Sequence, residues 1–219
     1  MRSRFIFAAL AGTLILSGCG PQSGDSNDEQ PDGGNSPDAG TPGIITEVEG
    51  TSELDEDPFV IAARAEDTGY LMAVNALDFS IPEFTQTHSP EDQQEIYDFF
   101  IDEYVTGGAP VIMFPGPSIW LPLEVSVNEA GDGAEVRFCD ASVDWAVSAE
   151  FPEPAYDLAN GEELVITIVT GDSGDLVFGG EERRGGSCDA TGAPVQRFDP
   201  QPAIPDGPIV IEDVTPPPA

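Results

Sequence analysis

Ile119-Trp120-Leu121-Pro122-Leu123-Glu124-Val125-Ser126-Val127-Asn128 decides the fold. Ile119, Leu121, Leu123, Val125 and Val127 alternate with Trp120, Pro122, Glu124, Ser126 and Asn128, the period-two signature of a half-buried strand. Pro122 cannot donate to a central ladder, so it places this strand at a sheet edge or at a bulge. Gly131-Asp132-Gly133 supplies a hairpin turn. The return strand holds Val136 and Phe138, then Val143, Trp145 and Val147, and the change of apolar phase predicts a bulge or bend near Cys139. Leu164 to Val169 reads as a further strand. The turn Gly171-Asp172-Ser173-Gly174 then leads to a strand over Leu176 to Phe178.

Upstream the period lengthens. Asp57-Pro58 is an N-cap followed by a first-turn proline. Behind it Phe59, Ala63, Tyr70, Val74 and Leu77 keep helical spacing, with Arg64, Glu66 and Asp67 assigned to the solvent side. Gly69 weakens that helix by about 1 kcal/mol relative to alanine. Ser89-Pro90-Glu91-Asp92 resembles a capping box, with Asp92 where glutamate or glutamine is usual. Ile96, Phe99, Phe100 and Tyr104 form the apolar stripe of this second helix, and Gly107-Gly108 end it. Helices first and antiparallel strands after define an α+β fold. A β-sandwich with added helices is the alternative, and the helical start argues against it.

Outside this region the chain changes character. Arg2 and Arg4 precede the apolar run Phe5 to Leu16, which is short for a membrane span of about 17–25 residues. It reads as a cleaved export signal over residues 1–18. Its ending, Leu16-Ser17-Gly18-Cys19, looks like a bacterial lipobox, which implies a diacylglycerol on Cys19 and a mature chain beginning there. Together with acylation of the new amino terminus, that gives enough acyl chains for stable anchoring. The expected location is the outer face of the bacterial cytoplasmic membrane. Residues 19–52 read as a disordered acidic linker rich in glycine, proline and serine, with seven acids and no base. As a flexible coil it would span about 30 Å. The globular domain is expected over residues 53–202, a size that supports its own core. The proline-rich tail 203–219 is expected to be disordered, with Ile209-Val210-Ile211 as a candidate short strand.

The chain of 219 residues carries a net charge of −34 and has no lysine. Removing residues 1–18 takes away two arginines and no acids, so the mature charge is −36. Such a surface repels nucleic acid and anionic lipid headgroups, which leaves the lipid as the only membrane contact. Nucleic acid is excluded as a partner. A heavily solvated acidic surface, suited to salt, is favoured over a basic partner. With Cys19 lipidated, Cys139 and Cys188 remain, and in an oxidising compartment they read as a disulfide. A loop of about 50 residues gives roughly 4 kcal/mol of chain-entropy stabilisation. Two cysteines and the single histidine, His88, make a poor zinc set. No metal or cofactor site is therefore expected.

The order of helices and strands, Val136-Arg137-Phe138-Cys139-Asp140, and Cys188-Asp189-Ala190-Thr191-Gly192-Ala193-Pro194 together resemble the nuclear transport factor 2-like superfamily. The likeness is to the divergent form found as lipoproteins of Gram-positive bacteria, and it covers Glu53 to Pro200. It implies a cone whose curved antiparallel sheet wraps the helices around a cavity. Some members are isomerases, dehydratases or cyclases with an aspartate or a His-Asp pair inside the cone; many bind or assemble without catalysis. His88 falls in a loop before the second helix and reads as an exposed or capping histidine. Asp140 and Asp144 flank strand positions and read as solvent-facing acids. Arg183-Arg184, the one basic cluster, is expected to pair with Glu181, Glu182 or other surface acids.

The leading expectation is a non-catalytic surface lipoprotein and not an enzyme. It would bind a small apolar ligand in a pocket lined by Phe99, Tyr104, Trp120 and Trp145, or an envelope protein. The second is a small lyase or isomerase with a buried carboxylate such as Asp140 as general base. The third is a passive acidic spacer or coat protein.

Overall fold

The computed structural model describes residues 42–142, 145–148, 154–205 and 207–218. Cys19 and the rest of the expected signal and linker up to residue 41 lie outside the described residues, as do Val143 and Asp144.

The described chain is α+β. Its six strands are β1 Gly43–Val48, β2 Trp120–Val127, β3 Gly133–Asp140, β4 Gly161–Thr170, β5 Leu176–Cys188 and β6 Val195–Asp199. The helices are α1 Pro58–Ala76, the single turn α2 Pro82–Thr85, and α3 Pro90–Phe100, which continues as a π-helical turn over Ile101–Thr106. Strands β2-β3-β4-β5 form an antiparallel meander, and β1 pairs with β6 in a separate antiparallel ribbon.

Local signals set most boundaries. The Asp57 carboxylate accepts from the Phe59 amide at 2.8 Å, satisfying a free N–H of the first turn of α1. Ser89 Oγ accepts from the Asp92 amide at 3.2 Å and donates to the Asp92 carboxylate at 2.6 Å. Pro122 sits where both of its constraints are met, because β2 is an edge strand and its register on β3 shifts between Pro122 and Glu124. Gly131, with φ of +77°, turns the β2–β3 hairpin, and Asn128 Oδ1 accepts its amide at 2.8 Å.

One face of the meander packs on α1. Val60 and Ala63 meet Trp120, Val136, Phe138, Leu164, Ile166, Ile168 and Phe178 in a single buried cluster. Cys139, one step out of phase with Phe138, projects to the other face, where it joins Ile119, Trp145 and Val195. There it bonds Cys188 with Cα atoms 5.8 Å apart. This disulfide links β3 to β5 across the start of β4. Gly161 makes the crossing passable, since a Cβ there would lie 2.6 Å from Cys139 Sγ.

Five expectations are corrected. The phase change after Cys139 is the end of β3 at Asp140, whose register on β4 runs unbroken; Val147 instead makes an isolated bridge to Met113. Gly43–Val48, assigned to the linker, is a strand because β6 supplies its hydrogen bonds. The tail is held down: Ile209 and Val214 are buried against Phe79 and Phe84, and the Phe79 amide donates to Thr215 O at 2.9 Å. Ile211–Asp213 is a 3₁₀ turn and not a strand. β5 runs ten residues beyond Phe178, through a Gly-Gly-Glu-Glu-Arg-Arg-Gly-Gly stretch with no strand propensity of its own.

Candidate functional site

Beyond the apolar cluster, the same sheet face turns polar. Asp140 continues the inward phase of Val136 and Phe138. Arg183 pairs in register with Leu164, and Glu181 with Ile166, so both follow the inward row of β4. Across from them α1 places Glu66 and Asp67 in consecutive positions, with Tyr70 one turn later. Glu66 is 9% and Asp67 7% exposed, which corrects their assignment to the solvent side. The helical stripe was read too narrowly: α1 is covered by the sheet on one side and by α2 and the segment before β2 on others, so its polar residues are buried too.

His88 is 2% exposed, correcting the exposed-loop reading. Its Nε2 lies 3.0 Å from Glu66 Oε1, and its Nδ1 lies 3.1 Å from Phe84 O. The loop that carries it is pinned from two directions. Gln93 Nε2 donates to the carbonyls of Thr85 and His88, and the Phe178 amide of β5 donates to Thr87 O. The loop thus lies on the sheet edge rather than in water.

Asp67 accepts from the Ser118 amide at 2.8 Å and from Ser118 Oγ at 2.7 Å. Burial pushes its carboxyl up to about 8; the Ser118 bonds oppose this, and the charges of Glu66 and Asp140 add to it. Burial thus favours the neutral acid, while the two Ser118 donors favour the carboxylate. Glu181 is also pushed up by burial, against the pull of Arg183 and with the push of Glu66 and Asp140. Burial raises Tyr70 as well, helped by Tyr104, Glu66, Glu181 and Asp67.

Asp140 is 2% exposed, correcting its solvent-facing assignment. One oxygen accepts from the Ser142 amide at 2.8 Å and the other from Arg183 at 3.0 Å. Arg183 also reaches Glu181 at 3.1 Å, and Arg184 reaches Glu182 at 3.3 Å, as its pairing with neighbouring acids predicts. Every arginine among the described residues has a carboxylate partner.

Of the four aromatics expected to line one pocket, Trp120, Tyr104 and Trp145 belong to three different buried clusters. Trp120 joins the α1–sheet cluster, with its ring 5.0 Å from Phe138. Tyr104 packs at 5.0 Å on Phe100 in the cluster built by α3 and the tail. Trp145 lies on the disulfide face, where its Nε1 donates to Gly116 O at 3.0 Å and the Arg197 guanidinium covers its ring at 5.0 Å. Phe99 is half-buried on α3. Among the described residues no group of three or more histidines, cysteines and acids has the arrangement of a metal site. No described helix is long and apolar enough to cross a membrane.

The cluster of Glu66, Asp67, Tyr70, His88, Asp140, Glu181 and Arg183 is the candidate site. Sequence reasoning weighed Asp140 and His88 singly and paired Arg183 with Glu181, but did not bring the three together. The period-two phase from Phe138 to Asp140 was the available signal for one of them. Comparison with protein-family models, curated proteins and solved structures finds no match to the chain.

Proposed function

We propose that the chain is an exported, lipid-anchored protein whose domain binds a small polar molecule at the charged end of the α1–sheet interface. The lipobox-like Leu16-Ser17-Gly18-Cys19 supports the anchor. The order of helices and antiparallel strands is compatible with the nuclear transport factor 2-like resemblance. The observation that carries the binding reading is the burial of three carboxylates, Glu66, Asp67 and Asp140, beside the half-buried Glu181, the exposed Arg183 and the buried His88. Packing alone does not call for such a group, because buried charge costs more than the apolar residues that would fill the same volume. The excess of acid over base favours a ligand with a basic nitrogen, and Tyr70 and Tyr104 are the neighbouring aromatic surfaces. This replaces the small apolar ligand expected from the aromatic residues alone.

Native mass spectrometry of the lipidated protein, gently extracted from its own membrane, tests this. A retained small basic molecule supports the reading. A bare protein that also ignores a panel of amines in calorimetric titration overturns it, and a co-purifying protein would make the domain an envelope-assembly module.

A second reading is a lyase or isomerase. It is favoured by a buried carboxyl that holds its proton near neutrality, Asp67, adjacent in sequence to the partner of His88. Carbon-13 titration in which every carboxyl ionises in the ordinary acidic range would remove its basis.

A further inference from the structure

We propose that the Cys139–Cys188 disulfide completes the charged cluster, holding the second half of β5 so that Arg183 and Glu181 face Asp140 only in the oxidised chain. Cys139 directly precedes Asp140 on β3, and Cys188 ends the strand that carries Arg183. The bond therefore ties the strand of the acid to the strand of the base across β4. Its part in binding rests on the reading of that cluster as the site; the hold on the strand does not.

β5 changes character after Phe178. Up to that residue it is anchored, because Phe178 is buried against α1 and its amide donates to Thr87 O at 3.0 Å. From Gly179 to Cys188 no residue is buried. The ladder to β4 is also broken twice. Its register shifts between Thr167 and Ile168, where Gly180 takes a φ of +150°, and again between Glu162 and Leu164. At the second break Arg184, Gly185 and Gly186 lie opposite Glu163 alone, and Gly185 takes a φ of +66°. Only Gly180, Glu181, Glu182 and Arg183 pair without interruption between the breaks. β5 is the edge of the meander, so no further strand supports it among the described residues. A short, glycine-rich edge ladder with no buried side chain is the kind of segment that opens locally.

Beyond Cys188 the chain is held again. Ala190 is fully buried, and its amide donates to Leu158 O at 2.7 Å. Between the fixed points at Phe178 and Ala190, the disulfide is the strong link. The ion pairs that cross from β5 to β3, Arg183 to Asp140 and Arg184 to Glu135, are a weaker hold because both arginines are well exposed. The two sulfurs also differ in access: Cys139 is fully buried and Cys188 half-buried. Cys188 is therefore the one that meets an exchanging disulfide. Its thiolate attacks that disulfide and releases one partner thiol. The Cys139 thiolate then attacks the Cys188 sulfur and releases the second. Two electrons and the two thiol protons leave with the partner, which departs as a pair of thiols. Such a partner belongs to the oxidising compartment that an exported chain enters.

The test is amide hydrogen exchange at neutral pH on the whole chain, first oxidised and then reduced with dithiothreitol. Glu181 to Ser187 should exchange about tenfold faster or more in the reduced chain, while Val136 and Ile166 in the central strands keep their protection. Reoxidation with oxidised glutathione should restore slow exchange, and Cys188→Ser should show the open pattern with no reductant present. Unchanged exchange on reduction, a closed strand in C188S, or an equal loss in the central strands, global unfolding included, would each overturn the proposal. Calorimetric titration with a panel of amines runs beside it, and binding should weaken on reduction. If neither form binds, the reading of the cluster as a site falls, and the exchange result alone decides what the disulfide holds.

Discussion

His88 shows how a single residue ties three parts of the molecule. Its Nε2 meets Glu66 of α1, its Nδ1 meets the carbonyl of Phe84, and its ring lies 4.5 Å from Phe84 and 5.8 Å from Phe178 of β5. Removing the imidazole strands a buried carboxylate and leaves a void. His88→Ala should therefore lose about 3 kcal/mol or more in urea unfolding. Glu66→Gln keeps an oxygen acceptor and should cost distinctly less; equal losses would show that the pair contributes only through packing. None of this was legible at the residue. A lone histidine beside a serine–proline helix start reads as a loop residue, and the reasons for its burial, Gln93 and the Phe178 amide, lie five and ninety positions away. For Asp140, read as solvent-facing, the signal was there: strand phase is local information, and it runs inward from Val136 through Phe138.

At the level of elements, the close approach of α2 to α1 reverses a sequence-level expectation. Gly69 should weaken a helix, and alanine there should strengthen it by about 1 kcal/mol. In the fold Gly69 is buried under the carbonyl of Glu83, which a Cβ would approach to 2.2 Å. Gly69→Ala should therefore destabilise by about 2 kcal/mol or more, measured as a lowered urea midpoint with an unchanged slope. A raised midpoint would mean that α2 is free to move away. The elements that were legible share a feature: caps, turns and alternation are written within a few residues, as at Asp57, Ser89, Gly131 and Pro122. The elements that were missed owe their structure to distant partners. β1 exists because of β6, and the second half of β5 exists because β4 pairs through Glu181, Glu182 and Arg183. The disulfide was legible from cysteine number alone; that it passes over Gly161 was not.

For the whole molecule, charge sets the response to solvent. Net charge of −34 with every described arginine already paired leaves most acids to repel one another, so the unfolding midpoint should rise between about 0.1 M and 1 M salt as screening shortens to a few ångströms. The pH response should run against the usual acid denaturation. Asp67 binds its proton up to about pH 8 in the fold and only up to the ordinary carboxylate range when unfolded. Between those two values the folded state holds the extra proton, so stability falls as pH rises and levels off above about 8. The span is on the order of 5 kcal/mol at about 1.4 kcal/mol per pH unit, and the raised carboxyl of Glu181 acts in the same direction. Urea unfolding at pH 5, 6, 7 and 8 in 0.5 M salt separates this site from general repulsion. Repulsion screened by salt leaves a shallow slope shared by wild type and Asp67→Asn. The buried carboxyl adds a steep component that the wild type shows and the asparagine variant lacks, and parallel slopes in the two proteins would return the whole pH response to surface charge.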